Sequence, residues 1–301
     1  MFKRSARAAA AAIAFALTLA IAPVFAQDPQ PQADDAAKIQ AFLDSLHFRS
    51  GDIAVGEAKA TFHLGDRYRY LEQAEARRVL EELWGNPPDD SVLGLIVPNK
   101  GALTDDDSWA VVVTYSDDGY VSDKDANETD YAELLKSMKQ EAEDSNSERA
   151  KQGYPMVHVV GWATPPRYDM TSKKLYWAKE IDFVGTGEHT LNYDIRVLGR
   201  HGYLSLNAIS VMSQLDRVQS GMQDLLPLAE FDPGARYADY NDSTDKVAGY
   251  GIAALIAGGI AAKSGLLAKL GVLLLAGKKF IILIFAGIAA FVRKLFGKKD
   301  G

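Results

Sequence analysis

The sequence predicts an α+β fold: a mainly antiparallel sheet of about six to eight strands, about three packed helices, and C-terminal membrane helices. Three observations predict it. Four strand-like runs follow one another between residues 156 and 211, joined by glycine turns. Three other segments carry apolar residues at helical spacing. Residues 246–296 are almost wholly apolar, interrupted by scattered lysines.

Residues 53–55 and 60–64 read as short extended stretches. Residues 72–84 read as a helix, because Ala76, Val79, Leu80 and Leu83 fall at i, i+3, i+4 and i+7. Gly85-Asn86-Pro87-Pro88 ends it, since Gly can leave a helix and Pro cannot continue one. Residues 92–97 and 109–115 are strands. The β-branched run Val111-Val112-Val113 implies burial on both faces. An acidic connector, 116–127, leads to a second helix from Asp130, with Tyr131, Leu134, Leu135, Met138 and Ala142 on one face and fraying near Asn146.

The four consecutive strands are 156–162, 175–184, 189–198 and 203–211. Gly185-Thr186-Gly187 and Gly199-Arg200-His201-Gly202 mark turns. Such tight turns join antiparallel neighbours and leave no room for a helical crossover. In the third strand Leu191, Tyr193, Ile195 and Val197 alternate with Asn192, Asp194 and Arg196. A third helix, 213–226, turns Leu215, Val218, Met222, Leu225 and Leu226 inward and is limited by Pro227. An extended segment around 230–240 follows.

The two ends carry export and anchoring signals. Residues 1–26 combine a basic start (Lys3, Arg4, Arg7), an apolar stretch and a Val24-Phe25-Ala26 cleavage site, the pattern of a signal peptide. Residues 27–49 read as a disordered spacer and lead-in, 50–245 as the exported domain, 246–296 as the membrane-anchoring segment and 297–301 as a basic tail. One crossing within 247–275, followed by an interfacial helix over 280–296, is expected; a two-crossing hairpin is the alternative. Ala254, Gly258 and Ala262 repeat every four residues, and Gly265 lies on a second such stripe. This spacing lets helices approach closely in lipid, for self-association or for packing on a membrane-protein partner.

Charge is partitioned. The chain is −7 overall, but the leader is +3 and the part from Lys246 onward is +8, leaving −18 on about 219 residues between them. Such a domain repels nucleic acid. Membrane lipid is the partner expected for the tail, and the exported domain is expected to face the periplasm.

No cysteine is present, which excludes disulfides, thiolate metal sites and a Cys nucleophile. The five histidines show no metal-ligand spacing, and neither a nucleophile elbow nor a P-loop occurs, so no cofactor is implied. Asp123-x-Asp125-x-Asn127 fails as an EF-hand loop, with Glu128 where Gly is needed and Leu134 where Glu is needed. A different cation site from Asp117, Asp118, Asp123 and Asp125 stays open. Aromatics beside turn residues nominate Trp162, Tyr168, Asp169, Tyr176 and Arg200 as a binding surface for a peptide or glycan; capping of the sheet edge is the structural alternative.

The motifs Trp84-Gly85-Asn86-Pro87, Gly161-Trp162-Ala163, Tyr168-Asp169, Leu175-Tyr176-Trp177-Ala178, Leu191-Asn192-Tyr193, Leu198-Gly199-Arg200, Gly234-x-Arg236-Tyr237-Ala238 and Gly249-Tyr250-Gly251 carry a likeness. The chain resembles a bacterial family of membrane-anchored proteins with a domain of unknown function, over most of residues 50–292. The resemblance implies a Gram-negative envelope location and a C-terminal anchor, and it implies no catalytic residues. Three functions compete: a non-enzymatic binding protein of the envelope, an envelope-acting enzyme using groups such as Asp169, His189 or Arg200, and a cation-binding sensor. The single-crossing topology makes one prediction. A periplasm-dependent reporter fused after Gly301 should be inactive, and a cytoplasm-dependent one active.

Overall fold

The computed structural model describes residues 33–257, apart from Gly85, Pro87, Ala102, Asp106, Asp107 and residues 152–154. The expected signal peptide and most of the expected membrane segment lie outside the described residues.

Helix α1 (Ala33–Asp44) precedes strands β1 (Asp52–Val55) and β2 (Ala60–His63). Strand β3 (Tyr68–Glu72) runs directly into α2 (Gln73–Arg78), which widens into a π turn at Val79–Leu83. Strands β4 (Val92–Pro98), β5 (Ala110–Ser116) and β6 (Tyr120–Ser122) lead to the long helix α3 (Tyr131–Lys151). The meander is β7 (Val157–Asp169), β8 (Lys174–Phe183), β9 (Thr190–Leu198) and β10 (Tyr203–Val211). Then come α4 (Leu215–Leu225), β11 (Ala229–Phe231), β12 (Val247–Gly251) and α5 (Ile252–Ala257).

The fold is α+β. A seven-stranded antiparallel sheet has the order β3-β4-β5-β10-β9-β8-β7, and a three-stranded sheet the order β1-β2-β11. The back face of the large sheet is mainly apolar, with Lys174, whose ammonium donates to the Leu226 carbonyl (2.6 Å), Glu180 and Ser210 among its residues. Tyr70, Ile96, Val111, Val113, Leu191, Tyr193, Ile195, Val197, Leu204 and Leu206 pack there against Ile53 and Phe62 of the small sheet and Val218, Met222 and Leu225 of α4. Period-2 alternation puts every second residue on that face, so a one-residue register slip would bury the polar set instead.

The front face is divided. At the β3–β4–β5 end, Leu71, Leu95, Val97 and Ala110 pack under Ala76, Val79 and Leu80 from α2 and its π turn, with Phe42 and Leu43 of α1 alongside. At the β8–β7 end, Leu175 and Trp177 join Val121, Tyr237, Tyr250, Ile252, Leu255 and Ile256, with Trp162 and Tyr168 packed against them. Val157, Ile181 and Phe183 meet Ala142 of α3.

Four expectations about the elements before the anchor change. Residues 33–44 of the expected spacer are helical, because Phe42 and Leu43 have an apolar surface to dock on. Strand β3 lies where no strand was expected. Helix α3 does not fray near Asn146 but runs to Lys151. The buried Asn146 amide donates to the Val157 carbonyl (2.9 Å) and accepts its N–H (2.7 Å), so it stands in for a neighbouring strand at the edge of β7. Strand β7 continues past Trp162 through Pro165 and Pro166 with three register irregularities, which an edge strand tolerates because its outer N–H groups need no partner.

The largest correction concerns the anchor. The first eleven residues of the expected crossing, Val247 to Ala257, belong to the domain. Strand β12 pairs in parallel with β6, and Ile252, Leu255 and Ile256 on α5 are 0–2% exposed. Ala254 is partly buried against this core too; Gly258, Ala262 and Gly265 lie outside the described residues. Among the described residues no helix is long and apolar enough to cross a membrane. Each of the three buried side chains contributes roughly 1.5–3 kcal/mol. A chain ended after Asp245 should therefore unfold at lower urea than one ended after Ala257, by about 3 kcal/mol or more; equal midpoints would contradict the packing of α5.

Candidate functional site

The residues nominated from the sequence do not form one surface. Trp162 donates from Nε1 to the Tyr131 carbonyl (3.2 Å) and packs with Tyr168 on the front face. Tyr176 points to the back face, where it packs on the main core. Asp169 closes a local turn, accepting the N–H groups of Thr171 (2.8 Å) and Ser172 (3.3 Å) and the Ser172 hydroxyl (2.7 Å). Arg200 grips Asp245 bidentately, at 2.7 and 3.0 Å, and its guanidinium holds that carboxyl well below the usual carboxylate range. His189, the imidazole nominated for catalysis, is hydrogen-bonded to Glu180 (2.6 Å), which raises its pKa.

The acidic connector serves the fold at separate points. Asp118 accepts the Tyr250 hydroxyl (2.6 Å). Asp125 accepts the N–H groups of Ile252 (3.0 Å) and Ala253 (3.3 Å), so it tethers the start of α5. Asp123 accepts the Tyr168 hydroxyl and the Lys173 ammonium, both at 2.8 Å. The exposed Asp117 sits beside Tyr115. Among the described residues no group of three or more His, Asp or Glu could hold a metal ion. Gly119, at φ +112°, lets the connector approach the backbone of Lys246–Ala248 more closely than any side chain would permit.

A different set does converge. Between the two apolar clusters, the front faces of the central strands are polar. Direct cross-strand pairs place Thr114 beside Ser205, Ser205 beside Arg196, Asn207 beside Asp194, and Lys179 beside Asn192. Asp194 and Asn192 are buried at 3% and 4% exposed, while Lys179, Arg196, Ser205 and Asn207 are partly exposed. Asp194 Oδ1 accepts from Arg196 (3.0 Å) and from the Asn207 amide (2.9 Å). The Arg196 guanidinium also lies 5.1 Å from the Trp177 ring centre and 5.8 Å from that of Tyr203. The Trp177 indole is 1% exposed, and among the described residues its N–H has no hydrogen-bond partner.

Chemically this band offers donors. The Asp194 charge is balanced by Arg196, with a further hydrogen bond from the Asn207 amide, which leaves Lys179 as the excess charge. Burial lowers the Lys179 pKa, opposed by the Asp194 charge and reinforced by that of Arg196. Alternation in the sequence had already put Asn192, Asp194 and Arg196 together on one face. What it missed is that this strand is central, so its polar face lies among neighbours rather than in open solvent. Lys179 within an otherwise apolar run beside Trp177 was the available signal. A cleft beside Arg69, Pro98, Asp105, Trp109 and Arg217 has room for about 20 Å³, enough for a water molecule and not for an organic ligand.

Fold and site together define an antiparallel α+β sheet domain with a polar, donor-rich band across one face. The chain belongs to the family described as protein of unknown function, DUF2167, whose model matches residues 47–289. A search of curated proteins gives no match. Among solved structures, the chain has 13% identity and a TM-score of 0.34 with cyanobacterial PsbP (CyanoP) from Synechocystis sp. PCC 6803, over 62% of this chain and 93% of that one. With LpqN of Mycobacterium tuberculosis, a protein described as involved in cell envelope biogenesis, identity is 13% and the TM-score 0.32, over 65% and 97%. With the Saccharomyces cerevisiae Ran-binding protein Mog1p, the values are 9% and 0.31, over 62% and 96%. Likenesses this distant carry no functional argument.

The Asp123 cluster yields a prediction. Burial pushes the Asp123 carboxyl up, but the Lys173 ammonium and the Tyr168 and Tyr237 hydroxyls outweigh it and the pKa falls below its ordinary value. A depressed pKa stabilises the fold above the unfolded-state value of about 4, and that contribution is lost as pH falls through the folded-state value. Asp123→Asn should cost about 1.5–3 kcal/mol at pH 7. The gap between variant and parent in urea unfolding should narrow as the pH is lowered from 5 towards 2.

Proposed function

We propose that this chain is an exported envelope protein, held on the membrane by its hydrophobic C-terminal part, whose α+β domain works by binding rather than by catalysis. The observation that carries the binding reading is the polar band on the front face. Central strands of a sheet covered on both sides ordinarily turn apolar residues to both covers. Here Asn192, Asp194, Arg196, Ser205 and Asn207 occupy the middle of one face, with four side chains of the band partly open to solvent. Burying polar groups costs free energy unless they are satisfied, and a ligand would satisfy the remaining donors.

The membrane part of the proposal rests on sequence. With residues up to Ala257 packed in the domain, only 18 residues separate it from position 276. That is short of the roughly 20 needed to cross, so a crossing would draw on residues further along. The −18 domain outside and the basic tail inside fit the charge rule for membrane topology.

A second reading, an enzyme acting on envelope material, is favoured by one observation: a desolvated lysine beside a carboxylate, the setting in which amines become bases or nucleophiles. The two readings part in a crosslinking experiment. A photo-reactive residue at Ser205, in native membranes, should trap a retained ligand or partner, whereas one at the exposed Asp66 should not. Recovery of nothing but the uncrosslinked monomer from the Ser205 site would remove the binding reading.

A further inference from the structure

Resting on the reading of the front face as a binding site, we propose that its ligand is a small anion, presenting a carboxylate or phosphate group to Lys179, Arg196 and the Trp177 indole N–H. Three observations converge. The first is the charge balance of the band. It holds two cations and one carboxylate, and that carboxylate is already engaged by Arg196 and Asn207. Among the described residues no carboxylate lies within ion-pair distance of Lys179, although its ammonium is desolvated. A desolvated ammonium whose nearest carboxylate, Asp194, is already engaged by Arg196 and Asn207 is costly, and an incoming anion lowers that cost.

The second is the unsatisfied donor. The Trp177 N–H is buried and unpartnered among the described residues; Trp177 lies two residues from Lys179 on the same face of β8 and directly across from Asp194 on β9. Native interiors rarely leave such a group orphaned. The third is the setting. The rest of the domain is strongly acidic, so the two cations of the band are a local exception to a field that otherwise repels anions. Trp177 and Tyr203, whose rings already flank the Arg196 guanidinium, would lie against an apolar body on that anion.

The test uses the full chain in detergent, with benzoate, inorganic phosphate and benzamidine as probes in calorimetry and thermal unfolding. Benzoate or phosphate should bind and raise the unfolding temperature, and benzamidine, the cation of benzoate's shape, should not. Lys179→Met removes the ammonium together with its burial cost, so the fold should be kept while anion binding weakens about tenfold or more. Trp177→Phe, which removes the N–H, should weaken it less. Two results overturn the proposal: neither anion binds, or Lys179→Met binds them as the parent does. Binding of benzamidine lost in Asp194→Asn would also overturn it, while leaving the face standing as a binding site. Failure of that broader reading is seen separately, in an empty crosslink at Ser205.

Discussion

The contact of Asp194 with Arg196 and Asn207 is what allows a charged residue to sit in the middle of the large sheet. Asp194 lies on β9, which has neighbours on both sides, and it is almost fully buried. Left alone, its carboxylate would cost several kcal/mol. The guanidinium two residues along the same strand and the amide directly across on β10 satisfy it, and the aromatic rings of Trp177 and Tyr203 hold the guanidinium in place. Once that arrangement is fixed, the front face cannot be covered by one continuous apolar layer. The covers therefore fall into two groups, with α1 and α2 at one end and α3 and α5 at the other. The back face, apolar over its central strands, takes the small sheet and α4 as a single layer.

The second dependence runs through the acidic connector. Its carboxylates hold the last described segment of the domain: Asp118 takes the Tyr250 hydroxyl, and Asp125 takes two backbone N–H groups at the start of α5. The connector thus converts the first eleven residues of a hydrophobic stretch into part of a folded core. Asp245, just before that stretch, is fixed in turn by Arg200 on the β9–β10 turn. Hydrogen bonds spaced along residues 245–253 therefore keep the start of the hydrophobic stretch in the fold.

Much of the sheet was legible in the sequence, because clean alternation and glycine turns impose an antiparallel meander whatever surrounds it. The helices were legible where an apolar stripe repeated over several turns, as with Leu215, Val218 and Met222 of α4. Local patterns failed where a remote partner supplied the missing energy. Asn146 reads as a helix breaker, yet α3 continues because the Val157 backbone accepts and donates to its amide. Tyr168 and Trp162 read as exposed aromatics near turns, yet they are drawn under α3 and the connector. The front-face band is half visible in sequence: alternation puts Asn192, Asp194 and Arg196 on one face of their strand, but nothing local places Lys179 beside them.

The sequence by itself determined the antiparallel topology, the separation of an acidic domain from basic ends, and the absence of cysteine chemistry, because each follows from residue spacing or composition alone. Tertiary structure decided which polar residues meet, since Lys179, Asp194 and Asn207 are brought together only by the register of three strands. It also decided that Ile252, Leu255 and Ile256 belong to the domain core. An apolar helical run has the same pattern in lipid as in a protein interior, and only the presence of a complementary surface distinguishes the two.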